Sequence, residues 1–300
     1  VQPGAWQLEQ RQRLQPLLNS RVRQQAVYVE DAWNVNSQWL LMGGIRRDLY
    51  DFSRSNLRDG SQLGTTLGGT SWRLGATYRL NGLTNVYAQL SQGHDPVGSL
   101  LTLSPLQTTF RLSQGRQAEV GLKQQLANGL GEWTVAVFDI RKKDILTRDP
   151  NGAHSTIQGG RQSSQGVELS GALQASRAVR FEANLAYVDA KFDELTGPEG
   201  ANLAGNRPED VPRIAANVWG HYEQGAWRVS LGLRHQGNRF SDNENTTRLP
   251  SYTVADALVR WNVDRKTTLS LAVRNLTDRF YATNAHYANQ WYVAPGRSVE

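Results

Sequence analysis

Between positions 72 and 80 the chain alternates strictly. Trp72, Leu74, Ala76, Tyr78 and Leu80 are interleaved with Arg73, Gly75, Thr77 and Arg79. A period of two is what a strand with one apolar and one polar face requires, because successive side chains leave a strand on opposite sides. The pattern returns where Trp227, Val229, Leu231 and Leu233 alternate with Arg228, Ser230, Gly232 and Arg234, and where Leu269, Leu271 and Val273 alternate with Ser270, Ala272 and Arg274. Segments 117–123, 132–140, 166–172 and 181–188 read the same way, less cleanly.

Short polar breaks separate these runs at 35–38, 81–84, 127–131, 175–179, 223–226 and 263–267, with starts 46, 46, 48, 48 and 40 residues apart. Between them lie longer stretches rich in Gly, Asn, Asp and Pro at 51–70, 94–114, 194–211, 241–250 and 278–296, and a shorter one at 150–155. The order is strand, tight turn, strand, long loop, six times over. Propeller blades repeat at a similar period but place four short strands in each unit. Here each unit holds two runs of about ten residues, the length of a tilted membrane-spanning strand and longer than the ~5–6 residues usual in soluble sandwiches.

Tryptophan sharpens the reading. Five of the nine indoles (Trp33, Trp39, Trp133, Trp227 and Trp261) sit within about two residues of a tight turn, with Tyr222 beside them. Indoles gathered at one end of every hairpin match a membrane interface, where the ring meets hydrocarbon and the N–H meets water. An Arg on the lipid face at mid-bilayer costs about 2–4 kcal/mol, so Arg73, Arg79, Arg228, Arg234 and Arg274 are expected to face a lumen and the aliphatic alternates to face lipid. The tight turns then lie on the periplasmic side and the long loops outside, where binding is usually done.

Composition excludes the main alternatives. Mean hydropathy is −0.54, and the longest uncharged apolar stretch, Trp39–Ile45, is far short of the ~20 residues a spanning helix needs. There is no cysteine, so disulfides, Cys-zinc sites and thiol nucleophiles are absent together. The net charge of +6 does not read as a nucleic-acid footprint: much of the excess lies in Arg11, Arg13, Arg21 and Arg23, and the longest basic run elsewhere is Arg141-Lys142-Lys143. The segment Trp6–Gln24 reads either as a short amphipathic helix or as loop. No phosphate-loop, esterase, zincin or EF-hand signature is present. His94, His154, His221, His235 and His286 have no ligand-like spacing, so no metal site and no cofactor are expected. Ser163 or Ser164 beside His154 would lack a third, orienting group, which argues against an enzyme. The richest constellation is Phe280, Tyr281, His286, Tyr287, Trp291 and Tyr292 in the last long loop. It is either a ligand-contact surface or a set of rings that packs the loop and girdles the barrel. Arg111, Arg148, Arg248 and Arg297 lie in loops where they could meet an anionic ligand.

Four segments, in order, resemble the C-terminal barrel of TonB-dependent outer-membrane receptors, most like those for siderophores. VYVEDAWNVNSQWLLMGGIRRD (27–48) looks like a strand, periplasmic turn, strand unit ending in Gly-Xaa-Arg. QAEVGLKQQLANGLGEWTVAVFDIRKKDILTRD (117–149) is similar to the family's EVGLK strand with its hairpin. QSSQGVELSG (162–171) and GNRPEDVPRIAANVW (205–219) match a strand and a following loop, and NLTDRFYA (275–282) with PGRSV (295–299) looks like the pair near the C-terminus.

The resemblance implies an all-β, antiparallel transmembrane barrel, present in part as about 12–13 strands of a larger barrel. It also implies an outer-membrane location, uptake of a ferric siderophore or similar anionic iron complex, and energy delivered by TonB through an N-terminal plug outside this sequence. Residues 1–300 are expected to be one monomeric barrel fragment in outer-membrane lipid, lacking the plug and the last strand, with open edges near 22–34 and 296–300. A self-contained passive channel or barrel enzyme is the alternative, and a soluble β-repeat binder a third.

Overall fold

The computed structural model describes residues 17–96, 109–148, 156–287 and 290–300. Seventeen strands follow in chain order: β1 Leu18–Asn34, β2 Trp39–Asn56, β3 Gln62–Arg79, β4 Thr84–Asp95, β5 Ser113–Gln125, β6 Gly131–Arg148, β7 Thr156–Gln174, β8 Val179–Glu194 and β9 Ile214–Gln224. Then come β10 Trp227–Gln236, β11 Arg239–Phe240, β12 Arg248–Leu249, β13 Tyr252–Asn262, β14 Thr268–Arg274, β15 Ala282–Tyr287, β16 Gln290–Val293 and β17 Ser298–Val299. Thirteen of them form one antiparallel sheet in sequence order, omitting β11, β12, β15 and β16, which pair with each other as β11–β12 and β15–β16. The sheet is not closed: β1 and β17 are its edges.

All six tight connections fall where the polar breaks predict them, and local chemistry fixes them. Asn36 Oδ1 accepts the amides of Gln38 and Trp39 at 2.8 and 2.9 Å, and Asp264 Oδ1 accepts those of Lys266 and Thr267 at 2.7 and 2.8 Å. Gly131 closes the third turn at φ 147°, where an added Cβ would lie 2.0 Å from the carbonyl oxygen of Ala172 on β7.

Strand stagger follows from the register. One ladder row runs Trp33, Leu41, Ala76, Ala88, Val120, Val137, Val167, Tyr187, Ile214. It begins beside the first tight turn and ends at the far end of β9, so each strand is displaced along its neighbour in one constant sense. That shear is what tilted barrel strands require.

The same row defines the apolar face. Leu74, Leu90, Val120, Val137, Leu231 and Leu271 lie in strand interiors and are each half exposed or more. A continuous patch of that kind marks an interaction surface. The small buried clusters sit instead at the long-loop end: Phe192, Leu195 and Leu203 with Ile145, and Leu249 with Ala282 and Ala285.

Two expectations are corrected. Residues 51–70 do not form a long loop: β2 and β3 continue through most of them, paired residue by residue, with Phe52 buried and a short connection at 57–61. Thr, Ser and Gly on both faces hide this strand extension from a periodicity test. The loop 278–296 contains the β15–β16 hairpin. Within Trp6–Gln24, residues 18–24 belong to β1, and residues 1–16 lie outside the described ones.

Candidate functional site

The long-loop end is built around one buried cation. Arg239, on β11, is 2% exposed, and its Nε donates to Asp210 Oδ1 at 3.2 Å. Its Nη2 donates to the carbonyl oxygens of Ala282, at 3.4 Å, and Thr283, and the guanidinium lies 5.9 Å from the centre of the Tyr252 ring. A single side chain thus ties segment 206–213, the β11–β12 connection and the β15–β16 hairpin.

Amides reinforce the weld. Asn245 Nδ2 donates to Arg207 O at 2.7 Å while its Oδ1 accepts the Arg207 amide at 2.9 Å, and Asn206 Nδ2 donates to Asn243 O at 3.0 Å. Asp242 caps the amides of Thr246 and Thr247, both at 2.7 Å. Burial, followed by the charges of Asp210, Glu244 and Asp242, pushes the Glu209 carboxyl above its ordinary range.

The hairpin's base is set by the Asn-Leu-Thr-Asp and Pro-Gly-Arg segments. Asn275, at φ 51°, donates its amide to Asp256 Oδ1 at 2.8 Å. Its side chain accepts the Arg279 amide at 2.8 Å and donates to the carbonyl oxygens of Arg279 and Pro295 at 2.9 and 3.4 Å. Asp278 Oδ1 accepts the Arg297 amide at 2.8 Å. Both ends of the loop are therefore clamped by two short polar side chains that tolerate left-handed backbone.

On this base the aromatic candidates separate. Tyr281 packs its ring 4.2 Å from Tyr252, centre to centre, and its hydroxyl accepts from Arg234 Nη2 at 3.3 Å. Phe280 and Tyr292 are 77% and 58% exposed and Trp291 is 42% exposed, so these three rings are presented outward. His286 and Tyr287 lie on β15. Arg248, on β12, adjoins Leu249, which is fully buried against Ala282 and Ala285. Arg111 and Arg148 belong elsewhere, at the outer ends of β5–β7: Arg111 exchanges both backbone hydrogen bonds with the Gln158 amide at 2.8 and 2.7 Å, and Arg148 ends β6. Ser163 donates to Asp193 at 2.8 Å, and His154 lies outside the described residues.

The register puts Arg73, Arg79, Arg228, Arg234 and Arg274 on the face opposite Leu74, Leu231 and Leu271. Arg73 pairs with Glu30, Arg228 with Glu223, and Arg274 with Glu300 at 3.1 Å. Sequence reasoning passed over two acids on the same face, Glu119 and Glu168. Glu119 accepts from Tyr87 and Gln117, both at 2.8 Å, and neither Glu119 nor Glu168 has a cation partner among the described residues. Their signal was present as Glu in the polar phase of the β5 and β7 alternation. Arg239 had none, being a lone charge in a loop. Among the described residues no three or more His, Asp or Glu side chains are grouped to hold a metal.

Residues 10–276 match the family model for TonB dependent receptor-like β-barrels. The chain belongs to this receptor family. Among its relatives, the metal-pseudopaline receptor of Pseudomonas aeruginosa is 30% identical over 284 residues, covering 90% of this chain and 39% of the relative. The ferrichrome outer membrane transporter/phage receptor of Escherichia coli is 28% identical, covering 89% and 36%. The solved siderophore receptor PiuA of Acinetobacter baumannii superposes with a TM-score of 0.83 at 23% identity, over 95% of this chain and 43% of that one. The chain thus spans about two-fifths of the relatives it matches, and its sheet is a partial barrel of the TonB-dependent type.

Proposed function

We propose that this TonB-dependent receptor barrel sits in the bacterial outer membrane and takes part in energised uptake of a ferric siderophore or a similar anionic metal complex. The observation that carries the reading is the division of the molecule. One sheet face carries a belt of exposed apolar side chains across its strand interiors, the other is lined with arginines and carboxylates, and a platform welded by Arg239 presents Phe280, Trp291 and Tyr292 at the long-loop end. The names of the ferrichrome and metal-pseudopaline receptors point to the same cargo class.

In this reading the exposed rings and Arg248 make the first contact with the complex. Tyr281 lines its approach, His286 and Tyr287 belong to the same hairpin as further candidate contacts, and Arg111 and Arg148 add positive charge from the outer ends of β5–β7. Arg73, Arg79, Arg228, Arg234 and Arg274 face the lumen. There Glu119 and Glu168, which have no cation partner among the described residues, receive basic groups of a plug domain through which TonB acts. The barrel acts as a monomer and as a receptor rather than an enzyme.

Uptake of radioactive iron as ferrichrome and as ferrioxamine B, in cells whose only siderophore receptor is the full-length protein, tests this. Uptake that needs both the receptor and TonB supports it. Receptor-dependent uptake that persists without TonB would leave a passive channel.

A further inference from the structure

The tight turns divide the main sheet into the hairpins β1–β2, β3–β4, β5–β6, β7–β8, β9–β10 and β13–β14, and five seams join each hairpin to the next. A tight turn holds the register of its own hairpin. A seam has no such turn: its two strands are linked only at the far, long-loop end, through 57–61, 96–112, 149–155, 195–213 and 237–251. Nor does the alternation of faces settle the register of a seam. A slip of one residue turns the apolar side chains away from lipid, but a slip of two leaves every side chain on its own face.

Every seam carries an aromatic side chain set directly against the facing strand. Across β2 and β3, Trp39 stands opposite Tyr78 with ring centres 4.8 Å apart. Across β4 and β5 the Tyr87 ring covers Gly121, and across β6 and β7 the Phe138 ring covers Gly166; a Cβ at either glycine would run into the ring. Across β8 and β9, Phe181 lies over Gly220, 3.2 Å from where its Cβ would be. Across β10 and β13, Trp227 and Trp261 stack with centres 5.2 Å apart and planes 3° from parallel. Inside the hairpins, among the described residues, only Trp219 over Gly232 repeats the arrangement. Apart from Phe138, the seam rings sit within about four residues of a tight turn, at the end where the seam has no covalent link.

Anchoring at a membrane interface accounts for only part of this. Trp39, Tyr78, Phe181, Trp227 and Trp261 share the apolar face, but Tyr87 and Phe138 lie on the arginine face beside Glu119, where no lipid interface exists. Glycine makes up 28 of 300 residues, yet it stands beneath the ring on three of the five seams, far more often than its abundance would place it there. A slip of two would set Tyr87 on Glu119 or Lys123, Phe138 on Ser164 or Glu168, and Phe181 on Val218 or Tyr222, and it would part the Trp227–Trp261 stack. Glycine alone lets a ring lie flush on the neighbouring backbone.

We infer that these rings are clasps that set the register from hairpin to hairpin. They thereby fix the stagger of the strands, and with it the width of the lumen. The inference stands on the strand ladder and holds whatever the cargo.

The test is cysteine cross-linking across the β10–β13 seam in the full-length receptor, with any cysteine elsewhere replaced by serine, refolded from urea into bilayers under a membrane-permeant oxidant. The native register sets Leu233 opposite Ala255, so Leu233→Cys/Ala255→Cys reports it, and Leu233→Cys with Thr253→Cys or with Ala257→Cys reports the two slips. With both indoles present, the native disulfide should exceed either slipped one roughly tenfold. Trp227→Leu/Trp261→Leu should raise the slipped products about fivefold, the loss of one aromatic pair, and each single variant should do nearly as much because the clasp needs both rings. Trp33→Leu removes an indole of the same girdle from inside a hairpin, opposite Leu41, and should leave the ratio unchanged. Trp261→Leu alone serves if the double variant does not fold, as judged by heat-modifiable gel mobility. Slipped products as scarce in the folded variants as in wild type, or raised equally by Trp33→Leu, would overturn the clasps and leave these rings as interface anchors.

Discussion

Replacing Arg239 should loosen the long-loop platform without unfolding the barrel. The guanidinium gives up an ion pair to Asp210 and two carbonyl contacts on the β15–β16 hairpin. Hydrogen bonds from a charged donor contribute about 1.5–3 kcal/mol each. The Ala282 contact is long at 3.4 Å, and the Asp210 side chain is 44% exposed and keeps much of its water, so both count for less than that. Arg239→Ala, which also empties a fully buried volume, should cost about 2–4 kcal/mol of local stability, a rise of roughly thirty-fold to several hundred-fold in opening. Arg239→Met refills the space and removes the buried Nη1 that has no partner, so it should cost less. Asp210→Ala should hurt more than Arg239→Met, because it leaves the guanidinium buried without its counter-charge. Amide hydrogen exchange over 282–293 in the full-length receptor reads all three. If Asp210→Ala and Arg239→Met are additive in a double-mutant cycle, or if Arg239→Ala leaves exchange there unchanged, the weld is not what holds the platform.

Other outcomes follow from named contacts. Glu209, whose carboxyl is pushed up by burial and by Asp210, Glu244 and Asp242, favours the closed arrangement of 206–210 on 241–247 when protonated. As pH rises through its raised value that contribution is lost, so protection factors at Arg207 and Thr246, corrected for intrinsic exchange, should fall as the carboxyl ionises, and Glu209→Gln should flatten the dependence. Asn275→Ala should destabilise the 275–297 loop by about 1–3 kcal/mol, and Asn275→Gly by less, since glycine keeps the φ of 51° and loses only the side-chain bonds; limited proteolysis ranks the two. Leu231→Arg should cost about 2–4 kcal/mol in folding from urea into lipid bilayers, while Gln89→Arg, exposed on the opposite face and across from Glu119, should cost far less. Gly131→Ala should disrupt the β6–β7 start, because its Cβ would meet the Ala172 carbonyl oxygen at 2.0 Å, and should slow folding into the same bilayers.

The strands were legible wherever the two faces differ chemically, as in Trp72–Arg79 and Trp227–Arg234. The tight turns were legible because Asn36, Gly131 and Asp264 do turn chemistry that few other residues can do. Strand extensions through 51–70 were not, since Thr, Ser, Asp and Gly occupy both faces once apolar burial stops imposing the alternation. The β15–β16 hairpin escaped because its aromatic residues carry no clean period. Nothing in sequence could pair Arg239 with Asp210, 29 positions away, or reveal that Glu119 and Glu168 stand without cations among the described residues. The grouping of Arg111 and Arg148 away from the last loop also follows from strand order alone.

The central claim is that the apolar sheet face lies in lipid and the arginine face does not. Single cysteines placed through β10 from 227 to 234, in a chain that has no cysteine of its own, and spin-labelled in bilayers, test it most directly. Labels at 227, 229, 231 and 233 should collide with oxygen and be shielded from a water-soluble nickel chelate, and labels at the exposed positions 228 and 234 on the other face should show the reverse. Uniform access of the chelate to both sets, or the opposite phase, would contradict the account.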